Sequence, residues 1–159
     1  MKEKKTNAMR LLEQLGINYE VVTYEVDEEH LDAVHASEAA NLPIEQVYKT
    51  IVLKGASGNL YVFVTPAEFS ISMKKARSIT GEKELELLKL DLLQKYTGYI
   101  RGGCSPLGMI HTYPTYIDEL AELEDYIYVS AGLRGYQIKI KPEDLQRAAK
   151  AEFVDFTGV

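Results

Sequence analysis

The sequence predicts an α+β fold with a largely antiparallel or mixed sheet. Helical and strand patterns are mixed along the chain, but not in regular βα alternation. The 159 residues are 46% hydrophobic and 26% charged, an ordinary balance for a soluble globular chain and too apolar for disorder. No repeat, low-complexity segment or Gly/Ser/Pro-rich linker interrupts them, so residues 1–159 read as one domain.

The elements follow in order. Ala8, Leu11, Leu12 and Leu15 fall at i, i+3, i+4 and i+7, one face of a helix. Thr6 or Asn7 can cap its start, and Gly16 sits where it should stop. Asn18–Tyr24 alternates as a strand. Glu25–Glu38 holds six carboxylates and no lysine or arginine, and reads as a loop leading to a short helix near Ser37–Ala40. Pro43 suits the first turn of a helical piece ending near Val47. Tyr48–Lys54 and Leu60–Thr65 form two strands around the turn Gly55–Asn59. Ser72 can cap a helix that ends before Gly81, and a short strand follows near Glu84–Leu87. Asp91 can cap a helix that ends at Gly98. A glycine- and proline-containing loop runs from Arg101 to Gly108. Strands are expected at Tyr126–Ser130 and Tyr136–Ile140, then a helix opened by Pro142 with Glu143 and Asp144 in its first turn. Phe153–Phe156 reads as a closing strand.

Composition removes several function classes. A net charge of -6 argues against holding nucleic acid by bulk charge, because phosphate neutralisation supplies most non-specific affinity. One cysteine forms no intrachain disulfide, in keeping with a reducing cytoplasm. No apolar run is long enough for a transmembrane helix. Met1–Thr6 carries the charges of a signal peptide without the apolar stretch that would follow one, so a cytoplasmic location is expected.

Few residues carry chemistry by themselves. On a strand over Tyr48–Lys54, Lys49 shares a face with Ile51 and Leu53, an uncommon place for an ammonium. Two readings fit: a cation held in a pocket to grip an anion or polarise a substrate, or a lysine snorkelling from a strand end. The two glycines of Gly102–Gly108 open backbone conformations whose N–H groups can cradle an oxyanion. The loop matches neither phosphate-loop pattern, and taken alone a tight connection explains it better. Cys104 and Ser105 lie there, but His30, His35 and His111 form no recognisable pair with either, and Ser105 before Pro106 suits a turn. His30 and His35 stand near carboxylates without a metal-binding spacing, and read as solvated loop residues. Ser130 ends a strand before a glycine loop, a common place for binding groups and for ordinary turns. The eleven tyrosines can line a nucleotide pocket or simply pack.

Taken in order, three blocks are more specific than any one of them. They are Tyr48-Lys49-Thr50, then Gly98 through Gly108 with its Gly102-Gly103-Cys104-Ser105-Pro106-Leu107-Gly108 run, then Tyr128 through Gly135. Together they resemble the YbaK/EbsC family of aminoacyl-tRNA deacylases, from the first helix to Asp155. The resemblance implies a three-layer α+β fold with a mixed, barrel-like sheet flanked by helices, also inserted as the editing domain of bacterial-type prolyl-tRNA synthetases. It implies hydrolysis of the ester joining a wrong amino acid to tRNA. Cysteinyl-tRNA(Pro) and cysteinyl-tRNA(Cys) are the substrates of one branch, and alanyl-tRNA(Pro) of others.

By the same resemblance, Lys49 matches the lysine that grips the 3′-terminal nucleotide, and Thr50 its polar neighbour. Gly102 matches a glycine whose backbone approaches the scissile ester, and Gly103 beside it in the loop is expected to bind substrate. Tyr24 and Ser130 match pocket residues. Gln137 stands where the branch has an aspartate, so an acceptor-only carboxylate has become an amide that also donates. The implied chemistry needs no protein nucleophile, metal or cofactor, because the thiol of a cysteinyl substrate attacks its own ester. The implied partners are the aminoacylated 3′ end and a carrier such as prolyl-tRNA synthetase, with no DNA and no membrane. Water-driven alanyl-tRNA(Pro) hydrolysis and a regulatory module without turnover remain the alternatives.

Overall fold

A computed structural model describes residues 5–158; the charged start Met1–Lys4 lies outside the described residues. Helix α1 (Asn7–Gln14) begins at Thr6, whose side chain accepts the Met9 N–H at 3.2 Å. Ala8, Met9 and Leu12 are buried, while Leu15, at the foot of the same stripe, stays half exposed. The chain then forms β1 (Glu20–Thr23) and α2 (Ala33–Ala39).

α2 begins before the expected Ser37–Ala40. Asp32 supplies the cap by accepting the His35 N–H at 3.2 Å, and His35 is therefore a helix residue rather than a loop one. A 3-10 turn over Ile44–Gln46 leads into β2 (Tyr48–Gly55) and β3 (Leu60–Pro66). α3 (Met73–Thr80) has the expected Ser72 cap and a left-handed Gly81 at its end. β4 (Leu85–Leu87) precedes α4 (Leu90–Thr97). Asp91 falls inside the first turn of α4 rather than capping it, and Lys89 holds the cap position without a side-chain bond.

β5 (Thr115–Asp118) and the 3-10 helix Glu119–Leu123 were not anticipated from the sequence. β6 (Ile127–Ser130), β7 (Tyr136–Ile140) and α5 (Pro142–Ala149) stand where expected. The closing strand β8 spans Glu152–Val154, earlier than Phe153–Phe156. Phe156 and Thr157 are instead drawn to Asp118, which accepts both of their N–H groups at 3.2 Å.

The strands make two sheets among the described residues. One is antiparallel, in the order β1-β7-β6. The other runs β4-β2-β3-β5-β8, antiparallel across β4, β2 and β3 and parallel across β3, β5 and β8. This is the expected mixed sheet. β3 is buried on both sides, so helices lie on both faces. α3 packs through Ala76 onto Leu53, Phe63 and Phe156, whose ring meets Phe63 edge-on at 4.9 Å. α4 packs through Leu93 onto Val52, Leu60 and Val62. α1 and α5 cover the other sheet at Val129, Ile138 and Ile140.

One detail of this arrangement makes the site. β3 occupies one edge of β2 along its whole length. On the other edge β4 reaches only Leu53–Gly55, with one further bond from the Leu88 N–H to the Val52 carbonyl. β6 pairs with this end of β2 through an isolated bridge between Val47 and Tyr128. Between β4 and β6, no described strand pairs with that edge of β2.

Candidate functional site

A cavity of about 210 Å³ opens at this unpaired edge. Lys49, Thr50 and Ile51 of β2 form one wall, and Ala33 and Ala36 of α2 lie across from them. Tyr24 follows β1, Ser130 ends β6 and Gln137 sits on β7, and all three face the same space. Gly102 closes the cavity from the loop after α4.

Lys49 lies directly opposite Thr65 on β3, so it shares a face with Ile51 and Leu53 as the alternation requires. Those two residues are covered by α3, but Lys49 lies beyond that cover and is half-buried. Its ammonium donates to the Ala67 carbonyl at 3.1 Å. Burial lowers its pKa below the usual lysine value, and the Asp32 carboxylate opposes part of that shift. Asp32 is held below the ordinary aspartate value: desolvation pushes it up, but bonds from the His35 backbone and imidazole outweigh that. The cavity lining thus combines a partly desolvated cation with an anion.

Among the described residues, two buried polar atoms of residues lining the cavity have no protein partner, Thr50 Oγ1 and Gln137 Oε1. A buried polar group without a partner costs about 1–3 kcal/mol, and a bound molecule or water repays it. Gln137 is only 5% exposed, so its unpaired oxygen is set deep in the chain.

The glycine loop is held from several sides. The buried Tyr99 hydroxyl donates to the Leu107 carbonyl at 2.6 Å, and Ser105 Oγ accepts the Leu107 N–H at 3.2 Å. Ser105 is therefore a turn residue, as its place before Pro106 implied. Gly102 has φ +83°, and a Cβ there would come within 3.3 Å of Leu31 and Arg134. Gly103 does not line the cavity; a Cβ on it would meet the Leu133–Arg134 backbone at 3.0–3.3 Å. Its role is to let two loops approach, and Arg134 Nε completes the contact by donating to the Arg101 carbonyl at 2.8 Å.

Ser130 Oγ accepts the Gly132 N–H at 3.2 Å, which fixes the hydroxyl at the end of β6. Cys104 also lines the cavity, but desolvation pushes its thiol up to about 12, so it is no thiolate near neutrality. His30 and His35 are exposed, stack with ring centroids 4.4 Å apart, and bond to Asp27 and Asp32. No group of three or more metal-ligating side chains forms among the described residues.

The structure thus gathers Tyr24, Lys49, Thr50, Gly102, Ser130 and Gln137 around one space and leaves Gly103 behind it. Sequence reasoning missed Leu31, Asp32, Ala33 and Ala36 as lining residues. The only signal for them was Asp32 as a helix cap three residues before His35.

Comparison with known proteins places the chain in a family and matches its fold. Residues 27–148 match the family described as the aminoacyl-tRNA editing domain. The chain is 38% identical over 155 residues to EbsC of Enterococcus faecalis, proposed by its name to be a Cys-tRNA(Pro)/Cys-tRNA(Cys) deacylase. That alignment covers 98% of this chain and 94% of EbsC. It is 26% identical over 162 residues to the prolyl-tRNA editing protein ProX of Acetoanaerobium sticklandii, covering 93% and 92% of the two chains. The fold also matches a solved structure described as a proposed trans-editing enzyme for prolyl-tRNA synthetase, with TM-score 0.85 and 22% identity over 99% of this chain and 100% of the other. With the family matched from the loop before α2 into α5 and a relative aligned over nearly its whole length, the chain belongs to the aminoacyl-tRNA editing domain family.

Proposed function

We propose that this protein is a trans-editing deacylase that cleaves the ester between a wrong amino acid and its tRNA, with cysteinyl-tRNA(Pro) as its substrate. The observation that carries this reading is the convergence of Lys49, Gly102, Tyr24, Ser130 and Gln137 on one cavity of an editing-family chain. The cavity is smaller than the ~300 Å³ lower bound usual for drug-sized ligands, so it suits an aminoacyl group with the terminal nucleotide at its mouth.

In this reading the Lys49 ammonium leaves the Ala67 carbonyl and donates to the 3′-terminal nucleotide, positioning the ester against Gly102. Thr50, Tyr24, Ser130 and Gln137 hold the aminoacyl part. The substrate thiol, as thiolate, attacks its own carbonyl carbon. A C–S bond forms, the bond from the carbonyl carbon to the ribose oxygen breaks, and the ribose oxygen takes a proton. The cyclic thioester released is then hydrolysed by water. The protein contributes orientation and charge stabilisation, which suits a site whose one cysteine is held as a thiol.

A second reading rests on a different observation. Thr50 Oγ1 and Gln137 Oε1 are buried acceptors with capacity to hold a water, which would serve hydrolysis of alanyl-tRNA(Pro). Single-turnover deacylation of cysteinyl-, alanyl- and seryl-tRNA(Pro) separates the two, since only cysteine offers the internal thiol. Cysteinyl ester is expected to be cleaved fastest by wild type, and Lys49→Ala to be slowed by about tenfold to a hundredfold, the worth of a charged hydrogen bond. Repeating the series with prolyl-tRNA synthetase present tests it as the carrier of the tRNA. No turnover of any ester, or full activity in Lys49→Ala, sinks the proposal.

A further inference from the structure

A second concavity lies apart from the substrate cavity, with buried Tyr48 lining both. Its apolar walls are Phe69, Leu120 and Leu123, which are 46%, 37% and 77% exposed. Leu120 and Leu123 stand three apart in a 3-10 helix, a geometry that eclipses their side chains and points both the same way. Scattered exposed apolar residues are ordinary, but three lining one concavity make a patch.

The rim of that patch is acidic. Glu45, Glu68 and Glu124 line it, and Glu119 and Glu122 flank it on the same 3-10 helix. None of these carboxylates forms an ion pair or a side-chain hydrogen bond among the described residues, and no lysine or arginine lines the concavity. The charge field is felt inside: after desolvation, Asp118 and Glu124 are the groups that raise the Tyr48 phenol.

We infer that this concavity is a docking surface for a basic amphipathic helix of a protein partner. Leucine-type side chains at i, i+3 and i+7 of such a helix would cover Phe69, Leu120 and Leu123, and its lysines and arginines would meet the unpaired carboxylates. The same rim argues against other occupants. A nucleic acid would bring phosphates onto carboxylates. A symmetric second copy would set the patch against itself and oppose two acidic rims. An anionic membrane surface would repel it.

The test uses the full chain, isotopically labelled, and two synthetic helical peptides of about five turns. Both carry leucines at that spacing; one has lysine at its polar positions and its twin has glutamate. The lysine peptide is expected to bind saturably, to shift the resonances of Phe69, Leu120 and Leu123, and to weaken as salt rises. Leu123→Ser with Phe69→Ser should weaken it by about tenfold or more, equal to about 1.4 kcal/mol. Both positions are well exposed, and circular dichroism checks that the variant folds. Glu45→Lys with Glu124→Lys should transfer binding to the glutamate twin. Absence of saturable binding by the lysine peptide, equal binding of both peptides, or shifts confined to other surfaces overturns the inference. So does self-association through the patch in sedimentation, or an acceptor-stem RNA duplex that shifts these resonances instead. No tRNA chemistry is read in this experiment, so its failure is separate from failure of the deacylase reading.

Discussion

At Lys49 the proposed role is set against stability within a single residue. A half-buried ammonium is disfavoured in the fold, which is why its pKa is lowered. The folded pKa lies below the unfolded one, so the cost of the cation is present in full at neutral pH. It disappears as pH rises from the lowered pKa to the ordinary lysine value of about 10.4. Two consequences follow for the proposed role. Deacylation above the chemical background should fall on an alkaline limb set below the usual lysine range, and that limb should vanish in Lys49→Met. The same variant should melt at or above the wild-type temperature while losing activity. A clear loss of thermal stability in Lys49→Met would show that the lysine is kept for the fold. Cys104 gives the opposite expectation. A thiol raised to about 12 is no nucleophile at pH 7–8, so Cys104→Ala should keep deacylation within about threefold. Inactivation of the native chain by iodoacetamide at pH 8 would contradict this.

At the scale of elements, β5 organises the half of the molecule behind the site. It runs parallel between β3 and β8, and its last residue, Asp118, is 1% exposed. The Asp118 carboxylate accepts N–H groups from Leu120, Phe156 and Thr157 and the Thr157 hydroxyl, at 3.0–3.2 Å. It thereby fixes Phe156 against Phe63, under the β2–β3 hairpin that carries Lys49. Asp118→Ala leaves several buried donors without an acceptor and should cost about 2–4 kcal/mol. In a chain of this size that lowers the melting temperature by roughly 4–16 °C. A change of under a degree in a thermal melt would show that the carboxylate is dispensable.

This element was not legible in the sequence. Thr115–Asp118 is four residues long, follows a proline, and takes both its partners from remote parts of the chain. Hairpins and caps, by contrast, are local: β2 with β3, Ser72 and Gly81 around α3, and Pro142 at α5 could all be read directly. α2 was misplaced because the acidic run from Glu25 has no apolar stripe, and its start depends on one capping bond from Asp32. Lys49 was conspicuous because its place on an apolar strand broke the alternation. Asp32, Ala33 and Ala36 were not, because they become a wall only when α2 lies across the edge of β2 that β4 and β6 leave open.

At the scale of the molecule, the charge of -6 constrains how a tRNA can be held. The cations lining the cavity are Lys49 and Arg101, and the surface on the far side of Tyr48 is acidic. Contacts limited to the aminoacylated 3′ end would neutralise about one or two phosphates. Single-stranded contacts release about 0.7 counterion per phosphate, so log K against log salt should slope between about -0.7 and -1.4. Affinity for free tRNA should accordingly be weak and should change little over the range where broad basic surfaces lose most of theirs. Fluorescence anisotropy of a 3′-labelled, non-hydrolysable aminoacyl-tRNA analogue at several salt concentrations measures this directly. A slope near -5, or nanomolar binding at physiological salt, would show contacts well beyond the 3′ end and overturn this expectation. With the expected shallow slope, most of the specificity must come from the aminoacyl group in the cavity, and Arg101→Ala should flatten the slope further by about 0.7.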